Sequence, residues 1–106
     1  MEDYELMGAV KWHLGTRIHL MRRQMNMSQT RFGVMVGLGR SSISAIERGS
    51  RSVTIENLVR ISAGLDMTLS ELFEGVDECI QDHHRYMPQM SYWALDRASR
   101  EAEARG

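Results

Sequence analysis

Cysteine occurs once, at Cys79, and proline once, at Pro88. A single thiol excludes an intramolecular disulfide and suits a reducing compartment. No apolar run approaches the roughly 18 residues that span a bilayer, so no membrane association is expected. The opening residues Met1-Glu2-Asp3-Tyr4 lack the basic-then-apolar layout of a signal peptide. No Ser/His/Asp set or carboxylate pair stands out, so no catalysis and no cofactor are expected. What is present fits one domain with a modest appendage: 106 residues, 42% hydrophobic and 25% charged. A core of this size can support a binding module and leaves little room for an enzyme pocket.

Net charge is also small, at −1, but it is unevenly placed. Between residues 17 and 51 lie Arg17, Arg22, Arg23, Arg31, Arg40, Arg48 and Arg51 against Glu47 alone, a net +6. Residues 1–11 and residues 76–106 each carry −2. A charge run is often only a solvated face. Here the bias coincides with one structural unit, which is the electrostatic footprint of phosphate binding.

The apolar periodicity is helical throughout, with no strand signal and no repeat. Leu14, Ile18, Met21 and Met25 form one stripe of a first helix. Ser28 is an N-cap for a second helix, Gln29 to about Val36, that turns Phe32 and Val36 inward and stops at Gly37. After the Leu38-Gly39 turn a third helix runs from Arg40 to Arg48, with Gly49 just past its end. Thr54 caps a fourth helix carrying Leu58, Ile61 and Leu65. Thr68 and Glu71 have capping-box spacing for a short fifth helix with Leu69, Leu72 and Phe73. The nine methionines are expected to fill gaps in the core.

The third helix divides by face. Ile43 and Ile46 lie on one side; Arg40, Ser44 and Arg48 lie on the other, flanked by Ser41 and Ala45. Exposed helix faces usually carry Glu and Lys, and this one has neither outside Glu47. Reading a major groove needs a forked donor for a guanine edge and short side chains that let the helix approach.

These elements carry a family likeness. L-G-T-R-I-x3-R at 14–22, S-Q-x2-F-G-x3-G at 28–37 and S-x-I-S-x-I-E-R-G at 41–49 resemble the Cro/CI-type (XRE family) helix-turn-helix, and T-I-E-N-L-x-R-I-S-x-G-L at 54–65 and L-S-E-L-F at 69–73 extend the match. The resemblance implies an all-α, five-helix lambda-repressor-like DNA-binding bundle over residues 12–75, after an N-terminal extension at 1–11. It implies that the third helix enters the major groove of double-stranded DNA. Arg40, Ser41 and Ala45 then match base-reading positions, with Ser44 nearby. Ser28, Gln29 and Arg48 match phosphate contacts, Gln29 also bracing the recognition helix, and Arg51 is a phosphate or minor-groove candidate. Arg22 matches a residue that pairs structurally with the glutamate at 47. Three positions depart from the pattern: Gly33 for alanine, Gly39 for a Ser or Thr cap, and Val53 for proline.

Residues 76–106 are left as a C-terminal extension, helical at 91–105, where Tyr92 and Leu95 make an apolar edge beside Trp93. It can fold back on the bundle, join two copies, or hold a protein partner. Cys79, His83 and His84 have helical ligand spacing, but two or three ligands without a second cluster are weak grounds for a metal, and none is expected. The reading is a cytoplasmic, nucleoid-associated transcriptional repressor acting as a homodimer. The alternatives are an antitoxin that autoregulates and binds a toxin, and a protein-interaction module that has lost DNA binding.

Overall fold

The computed structural model describes residues 2–86, and side chains from residue 5 to residue 82. Within them the chain is all helix: α1 (Glu2–Gln24), α2 (Gln29–Val36), α3 (Arg40–Glu47), α4 (Ile55–Gly64), α5 (Leu69–Leu72) and α6 (Val76–Tyr86). The helix foreseen at 91–105 lies outside the described residues.

Helix limits follow local chemistry. Ser28, Thr54 and Thr68 each accept a hydrogen bond from the backbone N–H three residues on, and the Glu71 carboxylate accepts one from the Thr68 N–H to complete a capping box. α2 ends where Gly37 turns left-handed (φ +79°), and the Leu38 N–H donates back to the Gly33 carbonyl at 2.8 Å.

Leu14, Ile18, Phe32, Val36, Ile43, Ile46, Leu58, Ile61, Leu65 and Leu72 form one buried core, to which α1 through α5 all contribute. The methionines divide. Met21, Met27 and Met67 pack against this core, whereas Met7, Met25 and Met35 are surface residues.

The ends of the domain differ from expectation. Residues 2–11 are not a separate extension but the first half of α1, and residues 76–86 are a sixth helix beside it. His13 approaches the Glu74 carbonyl, Cys79 Sγ donates to the Ala9 carbonyl, and buried Leu6 packs on Ile80, so the two helices run antiparallel. The apolar series Leu6, Val10, Leu14, Ile18 continues the α1 stripe back into this region. α6 gives that stripe something to pack on.

Two glycines set the helix-turn-helix. A Cβ at Gly33 would lie 2.4 Å from the Leu38 carbonyl oxygen, so the turn closes over a site with no room for alanine. Gly39 caps α3 with extended backbone (φ −72°, ψ 158°) and no side-chain bond, and a Cβ there would meet nothing within 4 Å. The two sites respond oppositely to substitution. Gly33→Ala is expected to cost about 1–3 kcal/mol through overpacking, outweighing alanine's helix preference of about 1 kcal/mol. Gly39→Ser is expected to add about 0.5–1 kcal/mol by capping α3 and stiffening the unfolded chain. Urea unfolding midpoints at constant m-value check both signs.

Candidate nucleic-acid interface

α3 is only eight residues long and gets its position from its neighbours. Ile43 and Ile46 anchor it in the core. Gly15 lets α1 approach closely: a Cβ there would lie 2.4 Å from the Ile46 carbonyl and 2.6 Å from that of Glu47.

The strongest polar tie lies at the last turn of α3. Arg22 donates from Nε to Glu47 Oε2 at 2.6 Å and from Nη2 to Oε1 at 2.9 Å, a bidentate pair with both side chains about 95% or more buried. The third Arg22 nitrogen, Nη1, donates to the Met27 carbonyl at 2.6 Å. Glu47 Oε1 also accepts from Gln29 Nε2 at 3.0 Å and from His19 Nδ1 at 2.8 Å. Burial alone would raise the Glu47 carboxyl. The hydrogen bonds from Arg22, His19 and Gln29, with the Arg22 charge, outweigh that and hold it below its ordinary value. Arg22 is raised in turn, chiefly by its bond to Glu47.

With that side fixed, Arg40, Ser41, Ser44 and Arg48 run along the accessible side of α3, where Arg48 Nη1 donates to Ser44 Oγ. Ala45 shares this side by spacing, but only 8% of it is exposed, and Ser50 Oγ donates to its carbonyl. Its methyl therefore offers little surface to a base edge, and the accessible strip is the two arginines and two serines. Arg51, exposed in the following loop, donates from Nη1 to Ser42 Oγ at 2.8 Å. Ser28 caps α2 from an exposed position, leaving the first-turn N–H groups of Gln29 and Thr30 for an anion. Gln29 is half-buried because its amide is committed to Glu47.

The basic stripe is smaller than its sequence count. Arg22 is buried, and Arg17 closes the end of α5, donating from Nε to the Leu72 carbonyl at 3.1 Å and from Nη2 to that of Glu71 at 2.7 Å. Arg23, Arg31, Arg40, Arg48 and Arg51 are the exposed arginines of the segment. The roles of Arg17 and His19 were not foreseen. For His19 the usable signal was its place one turn before Arg22 on α1.

Among the described residues no three His, Cys, Asp or Glu side chains come together as a metal site. Burial, and then the Asp82 charge, push the Cys79 thiol up, which disfavours the thiolate a metal requires. The side chains of His83 and His84 lie outside those described.

A short helix clamped at one end, with arginines and small polar residues facing out and a helix N-terminus beside it, defines a helix-turn-helix DNA-binding unit. A helix-turn-helix family model matches residues 18–72, and the chain belongs to that family. The control protein C.MunI of a Mycoplasma species is 38% identical over 73 residues, covering 68% of this chain and 99% of that protein. The crystal structure of the restriction-modification controller protein C.AhdI from Aeromonas hydrophila is 31% identical with a TM-score of 0.59, covering 61% of this chain and 94% of that one. The HTH-type transcriptional regulator y4aM of Sinorhizobium fredii is 32% identical over 84 residues, 79% of this chain but only 59% of the regulator. The chain is thus a DNA-binding transcriptional regulator of the XRE type, a family of regulators rather than an enzyme class.

The Glu47 clamp gives an acid-dependent prediction. Because the folded carboxyl sits below its unfolded value, its contribution is complete above the ordinary value of 4.5 and is lost as pH falls through the folded one. Glu47→Gln is expected to cost about 3–5 kcal/mol at pH 7, leaving Arg22 without its counter-charge. Its stability should also fall less steeply than that of the unsubstituted chain below about pH 4.5. Denaturant titrations from pH 3 to pH 7 compare the two slopes; Glu71, also held low by its bonds to Thr68, is common to both proteins and cancels.

Proposed function

We propose that the protein is a controller-type repressor that binds an inverted-repeat operator as a homodimer, with α3 in the major groove of each half-site. The observation that carries this reading is the accessible arginine-and-serine strip of α3, held in one orientation by the Arg22–Glu47 clamp. Arg40, Ser41 and Ser44 read base edges, with Ala45 reached only on the closest approach. Ser28, Gln29, Arg48 and Arg51 hold phosphates and set the register of the helix on the duplex. The controller assignment is supported by the match to C.MunI over nearly that protein's whole length and by the likeness to C.AhdI, described as a restriction-modification controller. The genes it governs would then be those of a restriction-modification system. The protein works by binding rather than catalysis, in the cytoplasm where its DNA lies.

Selection of bound duplexes from a random pool, followed by fluorescence anisotropy at several salt concentrations, tests the reading. A palindromic consensus with half-sites about one helical turn apart, ~34 Å, is expected; no sequence preference at low salt would overturn it. Arg40→Ala should relax base choice at one position of each half-site, costing about 1–3 kcal/mol there. Arg51→Ala should weaken all sequences alike and lower the salt slope by about 1.

A further inference from the structure

Trp12 is the most exposed aromatic side chain among the described residues, at 62%, and nothing in the helix-turn-helix accounts for it. Its place is fixed. Thr16 Oγ1 donates to the Trp12 carbonyl at 2.8 Å, and Gly49 packs so tightly on this stretch that a Cβ there would lie 2.8 Å from the Trp12 Cα and 3.1 Å from the Lys11 carbonyl carbon. Gly49 immediately follows Arg48 and opens the loop that carries Arg51. Lys11 joins Arg51 and Ser52 in lining a cleft of about 210 Å³ whose other walls are mostly apolar, among them Met7, Val10, Leu14 and Ile46, with no carboxylate. Among the described residues Lys11 makes no ion pair, and Arg51 spends one N–H on Ser42. The backbone of Trp12 is thus anchored against the end of α3, its indole is exposed, and its chain neighbour Lys11 shares a cleft with Arg51.

We infer that Lys11 and Trp12 form a second DNA contact that grips the sugar-phosphate backbone beside the half-site. The inference rests on the DNA-binding reading above. The indole packs on a deoxyribose and donates its N–H to a phosphate oxygen, while Lys11 adds a point charge. The occupant follows from continuity: Lys11 lines the cleft together with Arg51, so it extends the cationic surface of Arg48 and Arg51 that the DNA-binding reading assigns to phosphates. Contacts of this kind carry no base information, so their loss lowers affinity without changing selectivity.

The test uses the full chain with the selected operator and with an unrelated duplex, measured by anisotropy across a salt series. Trp12→Ala is expected to weaken both duplexes by about 3- to 10-fold, the size of one lost hydrogen bond, and Trp12→Phe by less, because the ring remains. Lys11→Ala should weaken both and lower the salt slope by about 1. Trp12 is exposed, so thermal melting should be unchanged, and sedimentation should show the same oligomer. Three results would each overturn the inference: unchanged affinity in Trp12→Ala and Lys11→Ala, a loss confined to one sequence, or a loss that tracks dissociation of the oligomer. Failure of the unsubstituted chain to bind any duplex would instead overturn the DNA-binding reading on which the inference rests.

Discussion

The pairing of Arg22 with Glu47 fixes the outward side of α3, because it adds a bidentate, directional tie to a helix otherwise seated by apolar packing. Ile43 and Ile46 bury α3, but apolar contact tolerates rotation and sliding. A bidentate guanidinium–carboxylate pair does not, since both N–H donors must meet both oxygens at once. Burying two charges is costly, so the pair contributes less net stability than its short distances suggest. What it specifies is the angle of α3 about its own axis, and hence which side chains face outward. His19 and Gln29 satisfy the remaining capacity of Glu47 and bring the start of α2 into the same network.

Backbone contact acts alongside that clamp. At Gly15 the α1 helix meets the last carbonyls of α3, and at Gly33 the turn folds over α2. Close approach at these two points and the clamp at the end of α3 leave an eight-residue helix little freedom. Arg17, five residues before Arg22 on α1, ties that helix to the end of α5, so two of the seven arginines in the basic segment stabilise the fold. The charge offered to a polyanion is correspondingly concentrated on α2, α3 and the loop after it.

Much of this was legible in the residues because its causes are local. A hydroxyl or glycine at a helix end acts on backbone groups within four residues, so the caps at Ser28, Thr54 and Thr68 and the stops at Gly37 and Gly49 could be placed from spacing alone. The start of α1 was harder. Its first half is helical against α6, a partner some seventy residues away, and the continuation of the Leu14–Ile18 stripe back to Leu6 was the available signal. Gly33 permits close approach at the cost of about 1 kcal/mol of helix propensity against alanine. The Leu38 carbonyl above it makes alanine the poorer fit, a contact that propensity does not see.

The sequence by itself determined a five-helix bundle with a helix-turn-helix, because helix period, caps and turn glycines act over a few residues. It also named the arginine-and-serine side of α3. Tertiary structure decided how those residues are used. It buried Ala45 to 8%, turned Arg17 inward, added His19 to the Glu47 network and left Trp12 exposed near the end of α3. Each of those outcomes depends on which residues of distant segments meet, and that distance is closed only when the helices pack.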